Sequence, residues 1–315
     1  MQHFQEKTMT TTVTRRPGYP LGLAQAQGRN AKLRELINRD ALTMAPGCFD
    51  CLTARLVADA GFPAAYITGS GVSMSALGAP DIGVISFAEV AERARRIADV
   101  VEIPIICDVD TGYGGPLNVV RTVRELERAG VSAMQIEDQS WPKKCGHELG
   151  RKLVDIPEME GRIKAAVDAR DDEDVMIIAR TDARTGHGLA EALDRAMAYR
   201  EAGADIIFVE SPESQDEMQQ INQRLECPTL ANMVEGGRTP FLNSDTLKSL
   251  GYRLAIYPNS LTRLFGFQGA KMLTTLAEQG STSSLREQML DHNGLWSLFD
   301  YTEWTELEAR FTNHN

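Results

Sequence analysis

Short apolar runs recur along the chain at residues 41–45, 64–68, 103–109, 131–136, 175–179, 205–209, 228–231 and 252–257. Most are continuously apolar rather than alternating, the signature of strands buried on both faces of a parallel sheet. Between them, apolar residues fall three and four apart over 87–100, 119–129, 156–169, 189–202 and 216–225, which predicts amphipathic helices. Several of these close on Ala-Gly (Ala60-Gly61, Ala129-Gly130, Ala202-Gly203), where glycine can take the left-handed conformation that ends a helix. Strand and helix alternating eight times predict an α/β chain folded as a (β/α)8 TIM-type barrel, with a doubly wound open sheet as the alternative.

A barrel places its functional residues where the strands end. The second run leads into Thr68-Gly69-Ser70-Gly71, and the third ends in Asp108 and Asp110. The fourth is followed by Glu137, the fifth by Arg180 and Asp182, the sixth by Glu210, the seventh by Asn232 and the eighth by Pro258-Asn259-Ser260. Polar residues closing seven consecutive apolar runs imply one charged pocket at the barrel mouth. A further helix is expected over 261–279, then a tail carrying Leu295, Trp296, Leu298, Phe299, Tyr301, Trp304 and Phe311. The domain reading is an N-terminal arm over 1–30, a catalytic barrel over 31–275 and a helical extension over 276–315. The apolar tail is expected to cover a neighbouring subunit, or alternatively its own barrel.

Composition narrows the partners. A formal charge of -11 leaves no basic stripe for nucleic acid or an anionic membrane. No run of eighteen apolar residues exists, and residues 1–14 lack the apolar centre of a secretory signal. Five cysteines form an odd count without framework spacing, pointing to a reducing cytoplasm. Cys48 and Cys51 make a lone CxxC, but no second cysteine or histidine pair completes a zinc site.

The candidate chemistry lies in two segments. In residues 142–147, PKKCGH, a cysteine has a lysine two before it and an imidazole two after it. Both cations would favour a thiolate and attract an anionic substrate, and the thiol could deliver a proton to a carbanion. In residues 108–115, DVDTGYGG, two carboxylates on alternate residues offer hard oxygen ligands to Mg2+.

With PDIGV at 80–84, IEDQ at 136–139, IIARTDA at 177–183 and VESP at 209–212, these blocks make the chain similar to the isocitrate lyase and phosphoenolpyruvate mutase superfamily over roughly residues 40–275. KKCGH at 143–147 resembles the lyase branch. The resemblance implies a Mg2+-dependent carbon–carbon lyase (Mn2+ being an alternative metal) that cleaves a 2-hydroxy di- or tricarboxylate by a retro-aldol step to an α-keto acid and a carboxylic acid. It implies Asp108 as the inner metal ligand, with Asp81, Asp110 and Glu137 holding metal-bound water. Cys145 would protonate the carbanion, Lys143 would lower the thiol pKa, and Arg180 would hold the hydroxyl oxygen or carboxylate. Thr68, Gly69 and Ser70 would bind the keto-acid carboxylate, and Gly146 and His147 the second one. Tyr66 would be the hydroxyl base; with an ordinary pKa of about 10 it would need help from the metal or Arg180. Glu210 would orient Arg180 or a metal water, or alternatively cap a helix. Asp138 and Asp182 are read as supporting or helix-capping acids, and His187 as a loop residue. A tetramer with exchanged terminal helices is also implied.

The seventh-strand end bears on the substrate. Asn232 is followed by Met233 and Val234, where lyases acting on tricarboxylates resemble one another in supplying hydroxyls. Burying an unpaired carboxylate costs several kcal/mol, whereas a buried methyl gains about 0.8 kcal/mol per carbon. The expected substrate is therefore a 2,3-dimethylmalate-like substituted malate. Alternatives are oxaloacetate hydrolysis, 2-methylisocitrate cleavage, carboxyphosphonoenolpyruvate phosphonomutase chemistry and, from another class, a non-catalytic diacid sensor. After His147 the chain reads Glu148-Leu149-Gly150-Arg151-Lys152, with Arg151 where relatives resemble one another in having lysine.

Overall fold

In the computed structural model, which describes residues 28–146 and 150–312, eight parallel strands stand in the order β6-β5-β4-β3-β2-β1-β8-β7. They are β1 (Thr43–Cys48), β2 (Ala65–Ile67), β3 (Ile105–Asp108), β4 (Ala133–Glu137), β5 (Met176–Thr181), β6 (Ile206–Val209), β7 (Leu230–Asn232) and β8 (Leu254–Tyr257). The first strand pairs with the last through Thr43–Leu254 and its neighbours. The gap between β6 and β7 is bridged at Ile207–Thr229, where the Ile207 amide donates to the Pro228 carbonyl at 3.0 Å. The result is a nearly closed (β/α)8 barrel rather than a doubly wound sheet.

Successive strand residues point to opposite faces, and the core divides accordingly. Ile105, Cys107, Met134, Ile136, Ile177 and Ala179 pack outward into one cluster with the helices. Tyr66, Ile106, Ala133, Met176, Ile178, Phe208, Leu230 and Ile256 pack inward into another, joined by Leu33 and Ile37 of α1 (Arg29–Asn38), which plugs the barrel. At Gly47 in β1 an added Cβ would collide with the Pro258 backbone, so only glycine allows β1 and the end of β8 to approach so closely.

The outer helices are α2 (Cys51–Asp59), α3 (Gly69–Leu77), α4 (Phe87–Asp99), α5 (Pro116–Arg128), α6 (Ile156–Ala169), α7 (Ala183–Glu201), α8 (Gln215–Leu225) and α9 (Ser244–Ser249). Ser86 and Glu89 form a reciprocal capping box on α4, and Asp50 and Thr53 another on α2. Gly61, Gly130 and Gly203 take positive φ just beyond their helices, as the Ala-Gly pairs require. Residues 68–71 are not a free glycine-rich turn: Thr68 is the N-cap of α3 and accepts from the Gly71 amide at 3.3 Å. His187 lies inside α7, beside a break at Gly188 (φ 86). Cys48 is buried at the end of β1 while the Cys51 thiol meets the Arg96 carbonyl, and all five cysteines are unbridged.

α10 (Ser260–Gln279) continues without a break past residue 275, where the barrel domain was expected to end, and has no buried residue. A 3-10 turn (Ser283–Gln288), α11 (His292–Ser297) and α12 (Tyr301–Thr312) follow. The tail is tied to α2 by Arg55, which pairs with Asp300 at 2.9 Å and donates to the Leu298 carbonyl.

Candidate active site

The inward-facing residues of each strand become polar at the carboxyl end. On β4 the inward series is Ala133, Gln135, Glu137; on β5 it is Met176, Ile178, Arg180; on β3, Ile106 is followed by Asp108. Thr68, Glu210 and Asn232 occupy the matching positions beyond β2 and β6 and at the end of β7. The same period that buries the barrel core therefore delivers the charged groups as its top layer. Thr68, Ser70, Asp81, Asp108, Cys145, Gly146, Arg180, Glu210 and Asn232 line one cavity of about 40 Å³, whose remaining wall is Tyr66, Phe208, Val234, Ile256, Pro258 and Asn259. Larger grooves lie among the outer helices, such as one of about 580 Å³ beside Arg34 and Arg170, without such a convergence of unlike groups.

Arg180 is held on all sides. Its Nη2 lies 2.9 Å from Asp182 and 3.5 Å from Glu210, its Nη1 lies 3.4 Å from Glu137, and its guanidinium stacks over Phe208 at 5.2 Å. Burial opposes its charge, but Asp182, Glu137 and Glu210 outweigh burial and hold the pKa well above the ordinary arginine value. Glu210 accepts from Asn232 Nδ2 at 3.0 Å and from Ser211 Oγ at 3.0 Å. Ser214, not Glu210, caps α8. An added Cβ at Gly146 would collide with Arg180 and press on Glu210, so this glycine lets the loop backbone sit against the guanidinium.

Contacts bear on two of the expected roles. The buried ammonium of Lys143 pairs with Asp81 and, at 2.7 Å, with Asp110. Burial lowers its pKa, but Asp110 and the other acids outweigh this and raise it well above the ordinary lysine value. Tyr66 stands here as a hydrogen-bond donor. Its hydroxyl donates to Gln135 Oε1 at 3.0 Å, and burial, reinforced by Asp108, raises its pKa well above 10. Gln135 also reaches Asp108 at 3.5 Å. It was not singled out from the sequence, although its place two residues before Glu137 on one strand was the available signal. Asp138 and Asp182 are not helix caps. Asp138 receives Thr181, Tyr199 and the Asp182 amide within 2.9 Å, whereas Asp182 binds arginines. His147 lies outside the described residues.

The acids suit a hard divalent cation. Asp110 Oδ2 and Glu137 Oε1 are buried without a hydrogen-bond partner. Burial pushes the Asp108 and Glu137 carboxyls up and Asp110 to about 6, the mark of carboxylates short of positive charge. Among the described residues no three acids converge closely enough as they stand to ligate an ion together. One direct ligand with the others acting through water is the arrangement Mg2+ commonly uses.

The sequence profile of phosphoenolpyruvate phosphomutase matches residues 33–276. The chain belongs to the phosphoenolpyruvate phosphomutase family. It is 46% identical over 281 residues to 2,3-dimethylmalate lyase from Eubacterium barkeri, covering 89% of this chain and 97% of that protein. A crystal structure of 2,3-dimethylmalate lyase superposes with a TM-score of 0.85 at 36% identity, covering 90% of this chain and 95% of the other. Oxaloacetate acetylhydrolase bound to 3,3-difluorooxalacetate superposes at 0.87 with 32% identity, covering 91% and 98%. Phosphonopyruvate hydrolase, in complex with oxalate and Mg2+, superposes at 0.82 with 30% identity, covering 90% and 99%. Family membership thus spans both carbon–carbon and phosphorus–carbon chemistry, and the site has to distinguish them.

Proposed function

We propose that this phosphoenolpyruvate phosphomutase family member is a Mg2+-dependent carbon–carbon lyase that cleaves a 2,3-dimethylmalate-like substituted malate to an α-keto acid, such as pyruvate, and a carboxylic acid. The observation that carries the reading is a single cavity lined by Cys145 and Arg180 together with the apolar Phe208, Val234 and Ile256. The charged lining suits the hydroxyl and carboxylate of a malate. The apolar lining suits alkyl substituents and would leave a third carboxylate unpaired.

Asp108 would hold Mg2+ (or Mn2+) directly and Asp81, Asp110 and Glu137 through water, and the bound cation would supply Lewis acidity toward substrate oxygens. Thr68, Gly69 and Ser70 bind the carboxylate beside the hydroxyl, using the first turn of α3. Arg180, kept cationic by its acids, holds the hydroxyl oxygen as its proton passes to solvent water and the oxygen becomes a carbonyl. The C2–C3 bond breaks, its electron pair stays on C3 beside the second carboxylate, and the Cys145 thiol delivers a proton there. The Cys145 thiolate left after the protonation of C3 is reprotonated from solvent. Asn232 and Glu210 hold Arg180 and the cavity wall in register. Gly146 and His147 would bind the second carboxylate.

The same reading makes the chain a homo-oligomer, a tetramer if the terminal helices are exchanged. Support comes from α10, which leaves Phe267 and Leu273 largely exposed. Among the described residues no helix is long and apolar enough to cross a membrane, and five unbridged thiols suit a reducing cytoplasm.

The test is a coupled keto-acid assay with Mg2+, offering 2,3-dimethylmalate, 2-methylisocitrate, isocitrate and oxaloacetate in parallel, with EDTA controls. Pyruvate from dimethylmalate that EDTA abolishes is the expected result. Turnover of oxaloacetate alone would replace the lyase with a hydrolase, and silence on all four would favour phosphonate chemistry or a sensor.

A further inference from the structure

Asp182 stands directly after β5, at the N-cap position of α7, yet its side chain makes no capping bond. Its fully buried carboxylate serves two guanidiniums on one oxygen: Oδ1 accepts from Arg180 Nη2 at 2.9 Å and from Arg151 Nη1. The other oxygen, Oδ2, accepts from Gln139 Nε2 at 3.2 Å. Gln139 is itself locked to the segment that carries Cys145. Its Nε2 donates to the Lys144 carbonyl at 2.9 Å, and its Oε1 accepts from the Lys144 amide at 2.9 Å. Gln139 also pairs across to Leu153, and the Ser140 amide donates to the Lys152 carbonyl at 2.8 Å, which fixes the backbone just after Arg151. The Arg151 side chain is itself only 3% exposed.

One carboxylate therefore connects the cation of the cleavage site with the peptide next to the proton donor. We propose that Asp182 is a positioning residue for the cleavage step, setting Arg180 and the Lys144–Cys145 peptide at a fixed separation, and that Arg151 holds Asp182 in that arrangement. The physical reason is the electrostatic balance of a buried node. Asp182 is the shared acid of both guanidiniums, so its loss would leave two buried cations without their common partner. Burial opposes the Asp182 charge, but Arg180 and Arg151 overcome it and keep the carboxyl below its usual range. Arg151 supplies this acid with a buried cation, a task a lysine at the same place would largely share.

The inference rests on the lyase reading, and one of its two tests does not need that reading. In the assay, Asp182→Asn should lower kcat on the order of 100-fold with KM changed less than about threefold, since a misplacement near 1 Å can cost that much. Arg151→Met should lose roughly tenfold, and Arg151→Lys should recover most of that loss. In the second test, iodoacetamide labelling is followed at Cys145 and Cys51 by peptide mass spectrometry, with no substrate present. Asp182→Asn should change the Cys145 rate about fivefold or more and leave Cys51, on α2, unchanged. Unchanged Cys145 labelling would overturn the proposal whatever the activity, and so would Arg151→Lys behaving like Arg151→Met. A labelling change in a protein whose wild type cleaves no malate would instead retain Asp182 as the positioning residue and reject the lyase assignment.

Discussion

Lys143 shows how a residue found from the sequence can meet partners that the sequence did not name. The lysine two before a cysteine suggested control of the thiol, but its ammonium lies between Asp81 and Asp110, because those buried acids have greater need of a cation. It follows that Lys143 and a divalent metal compete for the same negative potential. Lys143→Met should tighten Mg2+ binding, measured by titration calorimetry, by about tenfold, and weakened binding would show the lysine to be part of the metal site instead. Asp182 carries a pH prediction. Its folded pKa is depressed, so its contribution to stability is present above the ordinary carboxylate pKa and is lost as pH falls below about 4. Urea denaturation of Asp182→Asn should show a deficit of about 3 kcal/mol at pH 7 that shrinks as the pH falls below about 4, and a deficit independent of pH would contradict the ion-pair account.

At the scale of elements, the strand-and-helix alternation was readable because each apolar run had to be buried on both faces. The short α1 and α9 were not, since six to ten residues give too little periodicity. The segment after β2, expected to bind a carboxylate, is the first turn of α3, because Thr68 caps the helix that the glycines begin. Two substitutions test which contacts matter. Ser86→Ala should remove the reciprocal cap on α4 and cost about 1 kcal/mol in urea unfolding. Gly47→Ala should cost more than about 3 kcal/mol, because its Cβ meets the Pro258 backbone where β1 and β8 close the barrel, and backbone cannot swing aside as a side chain can. A loss of less than 1 kcal/mol there would mean that the closure is looser than it is drawn.

For the whole molecule, the uneven distribution of apolar surface is the main feature. The barrel buries its core completely, whereas α10 exposes Leu264, Phe267 and Leu273, and the tail exposes Trp296, Trp304 and Phe311. Such a surface on one molecule calls for a partner. The full chain should elute as a symmetric oligomer in light-scattering chromatography, and Phe267→Glu with Leu273→Glu should reduce it to a smaller species. A monomeric wild type would return the tail to its own barrel.

The sequence alone determined the barrel and the composition of its mouth, because hydrophobic period and strand-end chemistry are local properties and strand polarity changes at the same layer throughout. It also carried the family, through blocks that the fold brings to one rim. Tertiary structure decided how the charges pair. Which acid takes Lys143, why Tyr66 is held as a donor to Gln135, and how Asp182 joins Arg180 to Arg151 all depend on distances between strands remote in sequence. Burial strengthens those pairings, and burial is a property of the assembled barrel rather than of any one segment.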